Sequence, residues 1–526
     1  LEHARRSRGA LIHWFALPWL VVLLACSRSS PDSALSSIPT LPGDSPSVIL
    51  VSIDTLRADH LGCYGYSRPT SPRIDAFAAS AVRFSEGYSG APWTLPAHAQ
   101  MLTGHDPYAL GVIHKRSALP DGVPLLAEIL ASAGYETAAF VDSSKRGLVG
   151  AERGFARGFH EYHHAPHRDG LAFEYDARVT MEVALEWLRE RRDRQKPFFL
   201  FLHTKSVHSV QGGTPRADER TPPYDVPRGD RFRFVTDEQA RLSWSSPELG
   251  ASTQYLSSLN EAYRSGERDP GAFPAERRDA LVGLYDGAIR YTDEQFGALL
   301  DGLATLQLLD STLVVLTADH GEEFLDHGRL LHEQVYRELL HVPLIIRFPG
   351  QHEGRVVAED VSLADIVPTL VDWLGVSTSF GFAGRSLLEE RPRGAARALL
   401  ASYHEAIPSD NRPLLHGLCR SLSRRFTVPP SWLSGCVWAA RHYSLRRGDW
   451  TLVYNEFLDG REPTTELYGN QGDSLQQHAI PDAEVAGDLL SALREGRERM
   501  AVEGARAIAV DEETRKHLEA LGYVTD

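Results

Sequence analysis

Five short stretches of this chain are almost wholly apolar: Ser47–Ile53, Tyr135–Val141, Pro197–His203, Thr312–Thr317 and Val342–Arg347. Runs of this length without polar alternation are the pattern of strands buried on both faces, as in a parallel sheet covered by helices. Between them the apolar positions recur at helical spacing. Pro124–Ala133 puts Leu126, Ile129 and Leu130 on one face, and Tyr175–Arg191 does the same with Val179, Met181, Leu185 and Leu188. Arg277–Leu303 predicts a long helix ahead of the fourth strand. The alternation predicts an α/β fold with a large mixed, mostly parallel sheet sandwiched by helices.

The rhythm breaks twice. Residues 209–275 carry Gly212-Gly213, Pro222-Pro223, many charges and few apolar positions, which predicts an irregular insertion: a lid shaping substrate access, or a surface excursion. From about residue 376 short strand-like pieces appear, Ala398–Tyr403, Cys436–Arg441 and Trp450–Tyr454, followed by a polar helical tail ending Leu518–Val524. They predict that 376–526 forms a smaller C-terminal α+β subdomain beside a catalytic domain spanning 47–375.

At the chain start, Arg5, Arg6 and Arg8 precede an apolar run from Leu11 to Ala25, the build of a signal peptide over residues 1–25. The run ends Leu23-Leu24-Ala25-Cys26, which looks like a bacterial lipobox and implies cleavage before Cys26 and a lipid anchor on its thiol. Residues 26–46 then read as a flexible tether. The expectation is an exported lipoprotein on the periplasmic side of the outer membrane or at the cell surface, touching membrane only through that anchor. An ordinary secretory signal with a coincidental cysteine is the alternative. Cys419 and Cys436 could pair as a disulfide, whereas Cys63 has no basic neighbour in sequence and reads as structural. A formal charge of −15 over 526 residues argues against a nucleic-acid partner, whose phosphates demand clustered cations. It leaves oligomeric state open.

Ligands of open α/β sheets gather beyond the carboxyl ends of the strands. Asp54 follows the first apolar run, and Asp319-His320 follows the fourth, so two carboxylates and an imidazole can converge on one divalent cation. Hard oxygens with one nitrogen suit Mn²⁺, Zn²⁺ or Ca²⁺.

Several ordered motifs resemble the sulfatase family within the alkaline-phosphatase superfamily. Ser52-Ile53-Asp54-Thr55-Leu56-Arg57-Ala58-Asp59 with Gly62-Cys63-Tyr64-Gly65 is similar to its opening metal strand. Thr94-Leu95-Pro96-Ala97-His98, followed by Met101-Leu102-Thr103-Gly104, is similar to its nucleophile motif, Cys (or Ser)-x-Pro-Ser-Arg. Pro197–His203 with His208, and Asp319-His320-Gly321-Glu322 with Asp326-His327-Gly328, His332 and Tyr336, complete the likeness, which runs from about 47 to 470. It implies an alkaline-phosphatase-like fold and a metal-dependent hydrolase of sulfate, phosphate or phosphonate esters, with a small-molecule, glycan or lipid ester as substrate.

The departures bear on the chemistry. Thr94 stands where the family has a Cys or Ser that becomes formylglycine, so that aldehyde is not expected. Family phosphodiesterases and phosphoethanolamine-type transferases use Thr there. Thr94 is accordingly the expected nucleophile at a helix N-terminus, although a Thr before Pro96 is also an ordinary helix cap. A sulfo-threonine would lack the elimination route of the aldehyde hydrate, which favours phosphate or phosphonate esters. The resemblance makes Asp54, Asp319 and His320 the metal ligands. Many family members have Asn where His320 stands and bind Ca²⁺, and Thr55 replaces a second Asp. His208 is the expected general acid, with His203 in support. His332 and Lys145 could hold the anion's oxygens, and His98 could replace a family Arg as an anion contact. Arg57 either does similar work or pairs with a carboxylate. A phosphoethanolamine-type group transferase and a catalytically inactive binding homologue are the competing functions.

Overall fold

The computed structural model describes residues 45–507, apart from 114–116, 144, 165–175, 210–222, 225, 245–251, 390–396, 405–439, 458–460 and 474. The signal segment, Cys26 and most of the tether, Cys419, Cys436 and Leu518–Val524 lie outside the described residues.

Ser47–Ile53 forms β1 at the centre of an eight-stranded sheet. The other strands are β2 (Val82–Tyr88), β3 (Glu136–Val141), β4 (Glu161–His164), β5 (Phe198–Thr204), β6 (Thr312–Thr317), β9 (Leu344–Arg347) and β10 (Arg355–Ser362). A two-stranded ribbon, β7 (Glu323–Phe324) with β8 (Leu330–Leu331), follows β6. The sheet order is β10-β2-β9-β6-β1-β5-β3-β4. β1 lies parallel between β5 and β6, and only β9 runs against its neighbours. All seven residues of β5 and all six of β6 are buried, so apolar burial on both faces is what their composition encodes.

Three strands of the eight-stranded sheet escape the sequence reading, and their composition explains why. β2 alternates polar and apolar residues, β4 is four part-buried residues at a sheet edge, and β10 is the opposite edge with Val356 exposed. The expected helices are present as Leu126–Ser132, Ala177–Glu186 (continued by a wider turn, Trp187–Arg191) and Ala275–Thr305.

The insertion is less irregular than its composition suggests. Arg228–Arg231 and Ser252–Arg264 are helical. Its Tyr224 and Trp244 are buried, so at these points it is packed into the body and is no surface excursion. It lies so close to the long helix that only glycine fits there. A Cβ at Gly283 would stand 2.6 Å from the Phe234 carbonyl oxygen, and one at Gly287 would stand 2.5 Å from that of Asp230.

Toward the C-terminus β11 (Ala398–His404), β12 (Ala440–Arg447), β13 (Trp450–Phe457) and β14 (Thr464–Gly469) form an antiparallel sheet, followed by the helix Ala483–Ala507. The piece expected at Cys436–Arg441 is described only from Ala440, where β12 begins. Leu399, Ala401, Val453 and Tyr468 of this sheet pack on Tyr88, Val335, Tyr336 and Leu340. Arg446 bridges from β12 to Glu86 and Asp360, at 3.1 and 2.9 Å. The C-terminal sheet thereby packs against the segment that follows the Asp319-His320 strand.

Candidate active site

Parallel β1 and β6 end side by side, Ser52 opposite Thr317, and this register brings Asp54 beside Asp319 and His320. The ligand atoms of these three buried residues lie within 4.8 Å of one another. His320 Nε2 is 3.5 Å from Asp54 Oδ1 and 3.5 Å from Asp319 Oδ2. A backbone irregularity helps aim the group. Thr55 adopts a left-handed φ of 60°, its N–H donates to Asp319 Oδ1 (3.2 Å), and its carbonyl accepts from Tyr285 Oη at 2.6 Å. Such a conformation costs a β-branched residue energy and persists only where surrounding bonds hold it.

Both Asp54 oxygens, Asp319 Oδ2, His320 Nε2 and His203 Nε2 are buried with no hydrogen-bond partner. Unsatisfied buried polar atoms are rare, and five facing one region point to a ligand. The His320 ring donates from Nδ1 to the Gly321 carbonyl at 2.9 Å, which leaves Nε2 as the lone pair turned toward the carboxylates. Burial, then the Asp54 charge, raises Asp319 well above the ordinary carboxylate range. Burial also raises Asp54 against the pull of Lys205, and burial followed by His332 pushes His320 well below the usual imidazole value. Two carboxylates this close in a dry site keep their charges only against a cation. Acceptor oxygens with one imidazole lone pair fit a divalent metal.

Thr94 is the first residue of the helix Thr94–Thr103, all of it buried. Trp93 before it is extended, at φ −152° and ψ 159°, and turns the chain into the helix. The Thr94 carbonyl accepts from His98 Nδ1 at 2.8 Å, and that nitrogen is 3.5 Å from Asp319 Oδ2. One imidazole therefore connects the helix start to the carboxylate pair. The other nitrogen of His98 meets Ser52 Oγ at 3.0 Å, so both ring nitrogens hold protein partners, and burial pushes its pKa down to about 4.

The remaining sequence candidates divide. His203 Nε2 stands 3.6 Å from Asp54 Oδ2. His208 gives Nδ1–H to the Ser209 carbonyl, and burial together with the Lys205 charge pushes it down to about 3. Its ring is 5.1 Å from that of His332, which lies 4.7 Å from His320. Burial opposes charge on His332, but Glu322 accepts from its Nδ1 at 2.9 Å and raises it above the usual value. Arg57 shows the second of its two expected roles. Its guanidinium forks onto Asp59 at 2.9 and 2.8 Å and reaches Asp326 and the Glu322 carbonyl at 3.1 and 3.0 Å. These carboxylate and carbonyl contacts occupy the fork, so it is not the anion contact. Lys145 is exposed in the turn after β3.

Three participants have no expectation from sequence. Lys205 places Nζ 3.9 Å from Asp54 Oδ2. Glu322 holds His332, and Tyr224 of the insertion donates to Glu322 Oε1 at 2.7 Å. Lys205 shares the strand-end position of His203, a signal that could have found it. Tyr224 carries no local signal, because its role depends on how the insertion docks.

A family model for sulfatases matches residues 46–376. The N-acetylglucosamine-6-O-sulfatase of Bacteroides thetaiotaomicron is 25% identical over 543 residues, spanning 90% of this chain and 91% of its own. Arylsulfatase K of Bos taurus is 23% identical, over 91% of this chain and 87% of its own. The solved phosphonate monoester hydrolase of Agrobacterium radiobacter superposes with a TM-score of 0.60 at 20% identity, covering 87% of this chain and 96% of its own. This last likeness is one of fold.

Proposed function

Because the chain belongs to the sulfatase family of the alkaline-phosphatase superfamily, and so to the sulfuric and phosphoric ester hydrolases, we propose that it uses one divalent cation and a Thr94 nucleophile. The observation carrying this reading is the set of partnerless buried atoms on Asp54, Asp319 and His320, one imidazole away from the start of the Thr94 helix. Asp54, Asp319 and His320 hold the ion. A bound divalent ion supplies charge withdrawal from the nucleophilic hydroxyl and from the transferring group.

The chain's own residues do the rest. As Thr94 Oγ1 bonds to the central phosphorus or sulfur, its proton passes to the neutral Nε2 of His208 and the ester bond to the leaving oxygen breaks. His332, whose Nδ1–H rests on Glu322, is set to be an imidazolium that protonates the leaving oxygen. His208, expected as the general acid, instead has Nδ1–H on Ser209 and a neutral Nε2; it returns the threonine proton to Thr94 Oγ1 while water, giving its proton to the now neutral His332, cleaves the Thr94 ester. His98 holds the first turn in place. A phosphoryl-threonine is cleaved by such a water directly, which favours phosphate and phosphonate esters over sulfate esters. Export by residues 1–25 and lipid anchoring at Cys26 belong to the same reading and place the site outside the cytoplasm.

The test is a panel of aryl sulfate, phosphate mono- and diesters and phosphonate monoesters. It is run after chelation and again with Mn²⁺, Zn²⁺ or Ca²⁺. Turnover of at least one class, abolished by chelator and restored by one ion, is expected. No turnover of any class with metal bound would overturn the reading in favour of an inactive binding homologue. Transfer to an added alcohol acceptor in place of water would favour the group transferase.

A further inference from the structure

We propose that Lys205 is a catalytic anion contact, its ammonium donating to a non-bridging oxygen of the transferring phosphoryl or sulfuryl group. The inference rests on the hydrolase reading and identifies what binds the anion.

Lys205 is held firmly at its base. Lys205 follows β5, and its N–H donates to Asp142 Oδ2 at 3.2 Å. Asp142 is a buried residue just past β3 that also accepts from Thr204 Oγ1 and Thr180 Oγ1, at 2.9 and 2.8 Å. The base of the lysine is thus fastened between two strands of the sheet. Its side chain is 15% exposed, and Nζ reaches 3.9 Å from Asp54 Oδ2. That separation is too long for a hydrogen bond. The lysine therefore meets Asp54 as an ion pair without a hydrogen bond, and both Asp54 oxygens keep their hydrogen-bonding capacity. It stands beside the ligand cluster, its side chain mostly covered by protein.

Charge adds to this placement. Asp54 and Asp319 bring two formal negative charges, which one divalent ion would cancel. The loaded site is then neutral without Lys205 and carries one positive charge with it. Of the groups expected to meet the anion, His332 stands at the cluster, 4.7 Å ring to ring from His320, and the others face other partners or solvent. Arg57 is forked onto Asp59 and Asp326, Lys145 is exposed after β3, and both ring nitrogens of His98 have protein partners. The Lys205 charge is felt across the whole site, lowering His98, His203 and His208 behind their larger burial effects. A cation so placed does most where charge builds up on the transferring oxygens, in the transition state.

The experiment compares the metal-loaded wild type with Lys205→Met and Lys205→Arg. Metal content is read by elemental analysis, inorganic phosphate binding by calorimetry and turnover on the best ester of the panel. Lys205→Met is expected to retain its metal, to bind phosphate at least about tenfold more weakly and to lose kcat/KM on the order of 10²-fold. Lys205→Arg should recover most of the phosphate affinity. Lys205→Gln, which keeps a polar tip without charge, gives the same reading should the methionine variant fail to fold. Unchanged phosphate affinity in a metal-replete, folded, uncharged variant would overturn the proposal. So would a loss that saturating metal fully restores, since that marks support of the ion alone. A wild type that turns over no ester, yet binds phosphate through Lys205, would sink the hydrolase reading and the catalytic role, leaving Lys205 as the anion contact of a binding site.

Discussion

Asp319→Asn separates the cost of the carboxylate pair from its use. In the wild-type site, Asp319 Oδ1 accepts from the N–H groups of Thr55 and His320, at 3.2 and 2.9 Å, while Oδ2 has no partner. Asparagine keeps the first oxygen and places an NH₂ where the second stood, toward Asp54. Charges on Asp54 and Asp319, with ligand atoms within 4.8 Å, repel by about 3 kcal/mol at an effective dielectric near 20. Proton uptake by Asp319, raised by burial and then by Asp54, relieves part of this. The metal-free variant is therefore expected to be more stable than the metal-free wild type by roughly 1–3 kcal/mol, or several degrees in Tm. With metal the order reverses. An ion at about 1,000 times its Kd stabilises the wild type by about 4 kcal/mol, and the variant, lacking a ligand charge, should gain little. Thermal melts after chelation and across a Mn²⁺ titration read both halves. A variant less stable than wild type without metal, and stabilised equally by it, would refute the assignment of Asp319 as a ligand charge.

Three further outcomes follow from particular contacts. Arg57→Met should destabilise by roughly 1–3 kcal/mol, because Asp326 keeps Arg278 at 3.2 Å but loses its buried guanidinium, as does the Glu322 carbonyl; an unchanged denaturation midpoint would contradict the buried pairing. Tyr224→Phe removes the donor to Glu322 and should lower kcat severalfold with metal content intact; a wild-type kcat would make the insertion a bystander to the chemistry. His327 offers Nδ1 to Glu338 Oε1 at 2.6 Å and Nε2 to the Gln476 carbonyl at 2.8 Å, both acceptors, and stacks on Tyr336 at 3.7 Å. Burial opposes its charge, but Glu338, with Asp326 adding, raises its pKa. A raised folded value gives stability that is full below the unfolded value of about 6.5 and is lost as pH climbs through the folded one. Tm should accordingly fall from neutral to mildly alkaline pH in the wild type, and this step should vanish in His327→Gln. A step of equal size in the variant would dismiss the histidine as its source.

The proposed metal ligands were legible because they sit at the ends of strands whose apolar runs could hardly be anything else. Asp54 closes β1, and Asp319 with His320 closes β6, so strand register alone brings them together. The Thr94 helix was legible from Pro96 for the same local reason. What escaped depends on folding at a distance. Lys205 acquires its meaning from Asp142, 63 positions away, and Tyr224 from Glu322, 98 positions away. Arg57 could be read either way from sequence, and only the approach of Asp326 decides it. The insertion looked irregular because its apolar residues are few, yet Tyr255, Leu256, Leu259 and Tyr263 fall at helical spacing within Ser252–Arg264. Edge strands β4 and β10 lack the continuous apolar run that announces a central strand.

The central claim is that the Thr94 hydroxyl attacks the ester beside a metal held by Asp54, Asp319 and His320. Its most direct measurement is peptide mass spectrometry on enzyme quenched in acid during turnover of its best substrate. The account predicts a phosphoryl or sulfuryl adduct on the peptide bearing Thr94, absent before substrate is added. It also predicts Thr94→Ala protein that retains its metal and turns over nothing. Full turnover by Thr94→Ala, or an adduct on another residue in its place, would contradict it.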